Sequence, residues 1–208
     1  KHYIYDTEPT KLTKQIEKIT NYKIRKQNVL DEIKRIENSD MSDDEKERKI
    51  KRWEKRYTLG KLNFDSVIIS DFDESLKSVI TSLLYTDVLP ENNYIITFNQ
   101  WFDESLLVEK SIQPIYYPSI NKKNLEAFEK KFQSQFSEKP NHLALLSYDL
   151  IGLVYYLSIK NDSTEFNKLF KKKNSFKGKI GIFDVQDNKI NHRLNFYQIK
   201  KGKLKEIF

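Results

Sequence analysis

Nine residues about a third of the way along the chain, Val67-Ile68-Ile69-Ser70-Asp71-Phe72-Asp73-Glu74-Ser75, set two carboxylates two positions apart after a short apolar run. If the run is a buried strand, Asp71 and Asp73 both face a site at its C-terminal end. Carboxylates so placed can serve as nucleophile and as general acid or base. The late acids Asp184 and Asp187 sit beside an expected hairpin, not at the end of a parallel strand. The plainer expectation is that Asp73 caps the helix carrying Leu76, Val79 and Ile80.

The same residues fit recognition without reaction. In an open α/β sheet, ligands lie outside the carboxyl ends of the strands. Asp71, Phe72 and Asp73 follow one expected strand, and Asn99, Gln100 and Trp101 follow the next. An acid there would hold a ligand ammonium, and Phe72 and Trp101 would pack the ligand's body. Other chemistry finds little footing. The chain has no cysteine, which excludes disulfides and thiol catalysis within it. His2, His142 and His192 lack metal-ligand spacing. The five glycines are scattered, so no phosphate-cradling loop is formed, and the nucleophile-elbow pattern is absent. No metal or cofactor is expected.

These residues need a scaffold, and the apolar periodicity outlines one. Tyr3-Ile4-Tyr5 reads as a first strand, followed by a helix that Thr7 could cap and Pro9 could open. Residues 22–60 are dense in charge and read as a projecting helical hairpin, an insertion in the surrounding domain. Val29, Leu30, Ile33 and Ile36 stripe its first arm, and Ile50, Trp53 and Tyr57 its second. Asn38-Ser39-Asp40 separates the arms, and Ser42 with Glu45 matches a capping box. Buried parallel strands are expected at 67–69, 94–98 and 112–117, the last ended by Pro118. Helices are expected over 76–84, from Asn121, over 143–157 and over 163–172. Antiparallel strands follow at 179–184 and 192–199, with a last strand at 204–208. Together these predict an α/β fold with a mainly parallel Rossmann-like sheet and a closing β-meander.

The formal net charge of +7 is spread among interspersed acids and bases, as expected of a lysine-covered surface. The exception is Lys168 to Lys179, where Phe170 and Phe176 interleave with lysines in a pattern that can grip single-stranded nucleic acid. Lysines near a helix C-terminus explain it equally well, and no nucleic-acid partner is expected. No stretch approaches the roughly 18 unbroken apolar residues of a membrane span. The helix over 143–157 is apolar on most sides, so it is expected to be buried or to expose a patch that a neighbour covers. The start at Lys1, directly before an apparent strand, suggests a chain whose front is missing.

The 67–75 segment resembles the first motif of haloacid-dehalogenase-type phosphatases, which implies that one of Asp71 and Asp73 attacks phosphorus, that the other handles the leaving-group proton, and that a later acidic pair holds magnesium. It departs from that motif because a long segment precedes it and Ser75 stands where Thr or Val is usual. A second resemblance covers most of residues 64–208. Phe64 to Phe72 is similar to the second-lobe strand and loop of type I periplasmic binding proteins, and Tyr94 to Trp101 to their next strand. Leu125 to Tyr156, with Pro140 and the pair Tyr148-Asp149, resembles their helix pair. Phe176 to Asp184 and Tyr197 to Ile199 resemble their closing hairpin. The charged stretch after Ile19-Thr20-Asn21-Tyr22 and before Leu59-Gly60-Lys61 resembles the insertion of LpoA-like penicillin-binding protein activators. This resemblance implies a partial periplasmic-binding-protein-like domain over 1–208, mostly second lobe, with 22–60 inserted in it. It implies a periplasmic, non-catalytic binding protein that regulates peptidoglycan synthesis, with an outer-membrane lipid anchor on a missing N-terminus. The partner would be a penicillin-binding protein. An amino-acid-like solute would be the ligand if the chain is a component of an amino-acid ABC transporter.

Overall fold

The computed structural model describes residues 1–161 and 165–208. In chain order the elements are α1 (Pro9–Ile19), α2 (Tyr22–Glu37), α3 (Asp43–Glu54), β1 (Ser66–Ile69), α4 (Asp73–Tyr85), β2 (Tyr94–Thr97) and α5 (Ser105–Val108). There follow a 3-10 turn (Lys110–Ile112), β3 (Ile115–Ser119), α6 (Lys122–Phe136), α7 (His142–Asn161) and α8 (Phe166–Leu169). The last elements are β4 (Asn174–Lys177), β5 (Ile182–Gln186), β6 (Lys189–Arg193), β7 (Asn195–Lys200) and β8 (Lys203–Glu206). A five-stranded sheet has the order β1-β2-β3-β7-β8, and a separate three-stranded sheet the order β4-β5-β6. The fold is mixed α/β, parallel through β1, β2 and β3, as the apolar runs at 67–69 and 94–98 predict; the expected burial holds for Ile69 and Ile95 but not for Ile68, Tyr94 and Phe98, which are exposed.

The chain divides into two compact units. The first comprises Lys1–Phe98, Glu104–Tyr116 and Ile199–Lys203; the second comprises Asn99–Asp103, Tyr117–Gln198 and Leu204–Phe208.

In the first unit, β1 and β2 pair in parallel from Ser66↔Tyr94 to Ile69↔Thr97. Leu12 and Ile16 of α1 and Leu76, Val79, Ile80 and Leu83 of α4 are buried, and the two helices pack together. The carboxylate of Glu8, not the Thr7 hydroxyl, caps α1 by accepting from Thr10 N at 3.0 Å. The first expected strand does not form: Tyr3 to Asp6 are irregular, and Tyr3 and Ile4 are exposed. Helices α2 and α3 pack against each other, with Val29 and Ile36 buried on α2 and Leu30 left exposed. Ser42 takes the N-cap position of α3, but its side chain makes no capping bond, so the capping box is not realised. Arg25 fastens the base of this helix pair. Its buried guanidinium donates to Thr86 O at 3.1 Å and to Thr58 Oγ1 at 2.7 Å, and it lies 3.9 Å from Asp87. Burial pulls the Arg25 pKa down while Asp87 pushes it up. A guanidinium can satisfy such a fork of acceptors where an ammonium cannot.

In the second unit, α7 is the organising element. Leu145 packs with Ile120, Leu125 and Ile180, and Leu153 and Leu157 pack with Leu169, Phe170 and Val185. Between those two clusters the Asp149 carboxylate, only 2% exposed, accepts from three successive backbone amides. Lys179 N approaches Oδ1 at 2.7 Å; Ile180 N and Gly181 N approach Oδ2 at 2.9 and 3.2 Å. This explains two glycines of the Phe176 to Gly181 segment. A Cβ on Gly178 would lie 2.2 Å from Asp149 Oδ2, and one on Gly181 would lie 1.9 Å from His192 Nε2. It also explains why residues 179–181 do not extend into the expected strand: their amides serve Asp149. The observed hairpin pairs β5 with β6 through Asp187 and Asn188, both at positive φ, as a two-residue primed turn requires. That turn sets the register, so residues from Asn195 onward join the other sheet.

Two further boundaries differ from expectation. β3 begins at Ile115, because Ile112 lies in the 3-10 turn, and it runs through Pro118 to Ser119. Of the helix expected over 163–172, only Phe166–Leu169 is observed, and residues 162–164 lie outside the described residues. Helix α7 over His142–Lys160 is, by length and composition, apolar and long enough to cross a membrane, which corrects the expectation that no segment reaches that size. Its buried Asp149 marks a face packed within the protein. Leu143, Leu146, Leu150, Ile151, Tyr155 and Ile159 on the same helix remain exposed.

Candidate functional site

The loop after β1 is fixed from both sides. Thr97, fully buried in β2, donates its hydroxyl to Ile69 O at 3.0 Å and to Asp71 O at 3.3 Å. The parallel register makes this possible, since it sets Ile69 opposite Thr97. Asp71 is half-buried. Its Oδ1 accepts from Phe72 N at 2.9 Å, and its Oδ2 accepts from the Tyr5 hydroxyl. Burial and the neighbouring Asp71 push the Tyr5 pKa up to about 12, so Tyr5 stays a donor through the neutral range. Phe72 occupies the N-cap position of α4 in extended conformation and leaves its ring 45% exposed. Asp73 is the first residue of α4, exposed and at φ 49°. It is not the cap: α4 has no side-chain cap bond. Asp71 and Phe72 thus come together with Tyr5, which periodicity had placed in a strand remote from any site. Asp73 stands with Glu74 in the helix's first turn, where acids complement the dipole.

In the second unit, the carboxamide of Asn99 shapes its own loop. Its Oδ1 accepts from Trp101 N at 3.0 Å and from the Ser119 hydroxyl at 2.7 Å. Gln100 is buried, and its carbonyl accepts from Asp103 N at 3.0 Å. Trp101 and Phe102 both adopt positive φ, at 50° and 60°, so the chain turns sharply here. The half-buried indole of Trp101 stacks on His142 at 4.4 Å and 11°. Asn99 and Gln100 are therefore framework residues. Trp101, backed by His142, is the residue of the three with a ring suited to contact. Nothing in the spacing of the histidines pointed to His142 in this part.

The acids weighed for magnesium are otherwise engaged. Asp184 pairs with Arg193 through Nε at 2.5 Å and Nη2 at 3.0 Å, and that guanidinium holds its pKa below the usual range. Asp187 lies in the β5–β6 turn. Among the described residues no three His, Cys, Asp or Glu side chains are grouped as metal ligands.

No protein-family model and no curated protein matches the chain. Two solved structures resemble it over 69% of its length. One is a leucine-binding protein, LivK, from Thermotoga maritima, at 14% identity and TM-score 0.45; the match spans 44% of that chain. The other is an extracellular ligand-binding receptor from Desulfohalobium retbaense, at 12% identity and TM-score 0.45; the match spans 26% of that chain.

Proposed function

We propose that this chain is a binding module of the bacterial envelope, built as part of a type I periplasmic-binding-protein-like fold and acting without bond chemistry. The observation that supports this best is the Tyr5–Asp71–Phe72 group at the carboxyl end of a parallel strand. A carboxylate steadied by a tyrosine hydroxyl and a backbone amide suits the holding of an ammonium. Beside it, a half-exposed phenyl ring suits packing against the apolar body that carries the ammonium. Asp73 extends this proposed contact set within the first unit; in the second unit Trp101, on the loop framed by Asn99 and Gln100, is proposed as a separate contact. The leading reading is a penicillin-binding protein activator, periplasmic and anchored to the outer membrane, that regulates peptidoglycan synthesis through a protein partner. The second reading is the solute-binding component of an amino-acid ABC transporter, which the ammonium-directed acid favours. The phosphatase reading is less well supported, because the Asp71 carboxylate already accepts from the Tyr5 hydroxyl and the Phe72 amide.

Thermal-shift screening against the amino acids separates the first two readings, since a ligand that binds the folded state raises its midpoint. A saturable rise with one solute supports transport. Capture of a penicillin-binding protein, lost on Tyr57→Ala, supports the activator. Tyr57 is 74% exposed beyond α3, so its truncation leaves the Arg25 anchor intact, whereas removal of the helix pair would not.

A further inference from the structure

We propose that the cavity at the amino ends of β2 and β3 binds a small sugar acid or sugar phosphate. This site lies in the first unit, at the opposite end of the β1–β2 pair from Asp71, and no step of the preceding reading uses it. Tyr94 opens β2, Gln113 and Pro114 precede β3, and Lys200 closes β7. These residues, with Asn92, Lys110 and Lys201, line a cavity of about 630 Å³. Small-molecule sites commonly measure about 300–1,000 Å³.

Gln113 gives the cavity a fixed wall. It is buried, and its Nε2 donates to Leu106 O at 2.8 Å and to Leu107 O at 3.1 Å. Its Oε1 accepts from Gly202 N at 2.8 Å. One side chain thereby ties the β7–β8 turn to the segment before β3. Lys201 enters that turn at φ 54°, and a Cβ on Gly202 would lie 3.8 Å from Lys110 Cε. Lys110 therefore runs beside the turn that presents Lys200 and Lys201. Three lysines and one acid, Glu91, line the cavity, which leaves an excess of two positive charges. Among the described residues none of these lysines takes part in an ion pair. An anion entering here meets three lysines outside any ion pair, opposed in the lining by the one carboxylate of Glu91.

The rest of the lining suits a sugar ring. Tyr94 is 58% exposed and meets Tyr116 edge to face at 5.5 Å and 62°, so its ring is braced. A braced tyrosine face takes the C–H face of a sugar, the amide of Asn92 can bond its hydroxyls, and the lysines take its acid group.

The test is calorimetric titration of the full chain at low salt with glucose 6-phosphate, glucuronate, glucose and inorganic phosphate. The two anionic sugars are expected to bind saturably, with the stronger one naming the preferred acid. Glucose and inorganic phosphate are expected to bind at least ten-fold more weakly. Lys110→Gln combined with Lys201→Asn should weaken the anionic sugars at least ten-fold; asparagine tolerates the left-handed conformation at 201. Glu91→Gln should tighten them several-fold, and this arm stands even if the lysine variant unfolds. Asp71→Asn should leave them unchanged. The proposal is overturned if neither anionic sugar binds at about 10 mM, a free energy of only about −3 kcal/mol. It is equally overturned if inorganic phosphate binds as well as glucose 6-phosphate, or if the charge variants leave affinity unaltered.

Discussion

Replacing Asp149 with asparagine should destabilise the second unit by about 2.5–5 kcal/mol, and the geometry sets out why. Oδ1 takes one amide at 2.7 Å and Oδ2 takes two at 2.9 and 3.2 Å. Asparagine can keep its oxygen at the Oδ2 position and retain two of the three. Its NH2 group then faces the Lys179 N–H, donor against donor. The lost bond is one to a charged acceptor, worth about 1.5–3 kcal/mol, and the other two each fall to neutral strength at about 0.5–1 kcal/mol less. Urea unfolding followed by circular dichroism reads the sum as a lower midpoint. Amide exchange reads the location, with protection lost first at Lys179, Ile180 and Gly181. Gly178→Ala provides an independent check, because its new Cβ would strike Asp149 Oδ2 at 2.2 Å. In an Asp149→Ala background most of that clash disappears, so the two substitutions should be strongly non-additive. A loss below about 1 kcal/mol for Asp149→Asn, or strict additivity with Gly178→Ala, would refute the assignment of this carboxylate as the loop's anchor.

Tyr117 is fully buried and its hydroxyl has no hydrogen-bond partner. Tyr117→Phe should therefore keep the ring packing against Tyr197 and Phe102 and raise stability by about 1–3 kcal/mol in urea unfolding. Burial lowers the His192 pKa below its ordinary value of 6.5, against a smaller opposing pull from Asp149. The unfolded chain then takes up this proton more readily than the folded one. His192 should cost nothing above about pH 6.5 and destabilise increasingly as pH falls below it. Midpoints measured from pH 7.5 to 5.5 should fall less in His192→Phe, which keeps the stacking on Phe183. Arg25→Lys should detach the helix pair from the end of α4 and cost about 2–4 kcal/mol, with exchange protection lost at Leu59, whose amide bonds Arg25 O.

Local pattern made some of this architecture readable and concealed the rest for physical reasons. The apolar runs at β1 and β2 and the stripe of α4 are sharp because Ile69, Ile95 and the α4 residues Leu76, Val79, Ile80 and Leu83 are buried, although Ile68 and Tyr94 on the other face of the strands are exposed. The start of α6, where the Asn121 carboxamide accepts from Asn124 N at 3.1 Å, and the Asp187-Asn188 turn region follow from side-chain chemistry a few residues away. Where long-range bonds decide, periodicity misled. Tyr3 to Tyr5 alternate like a strand, yet Tyr5 is positioned by Asp71, far along the chain. Residues 179–184 read as one strand, yet the amides of 179–181 are claimed by Asp149. Asp71 and Phe72 were placeable directly after β1 from the strand's apolar run alone. Tyr5 and His142 were not, because only tertiary structure sets them beside Asp71 and Trp101. Arg25 was hidden among many charged neighbours that are simply solvated.

The claim that Asp71 binds rather than reacts is tested most directly by one calorimetric series. The amino acids and a penicillin-binding protein ectodomain are titrated into the wild-type chain and into Asp71→Asn. Whichever of them binds should lose at least ten-fold in affinity, about 1.4 kcal/mol, on losing the carboxylate's charge. Binding indifferent to Asp71→Asn would contradict the account, as would magnesium-dependent phosphate release that the same substitution abolishes.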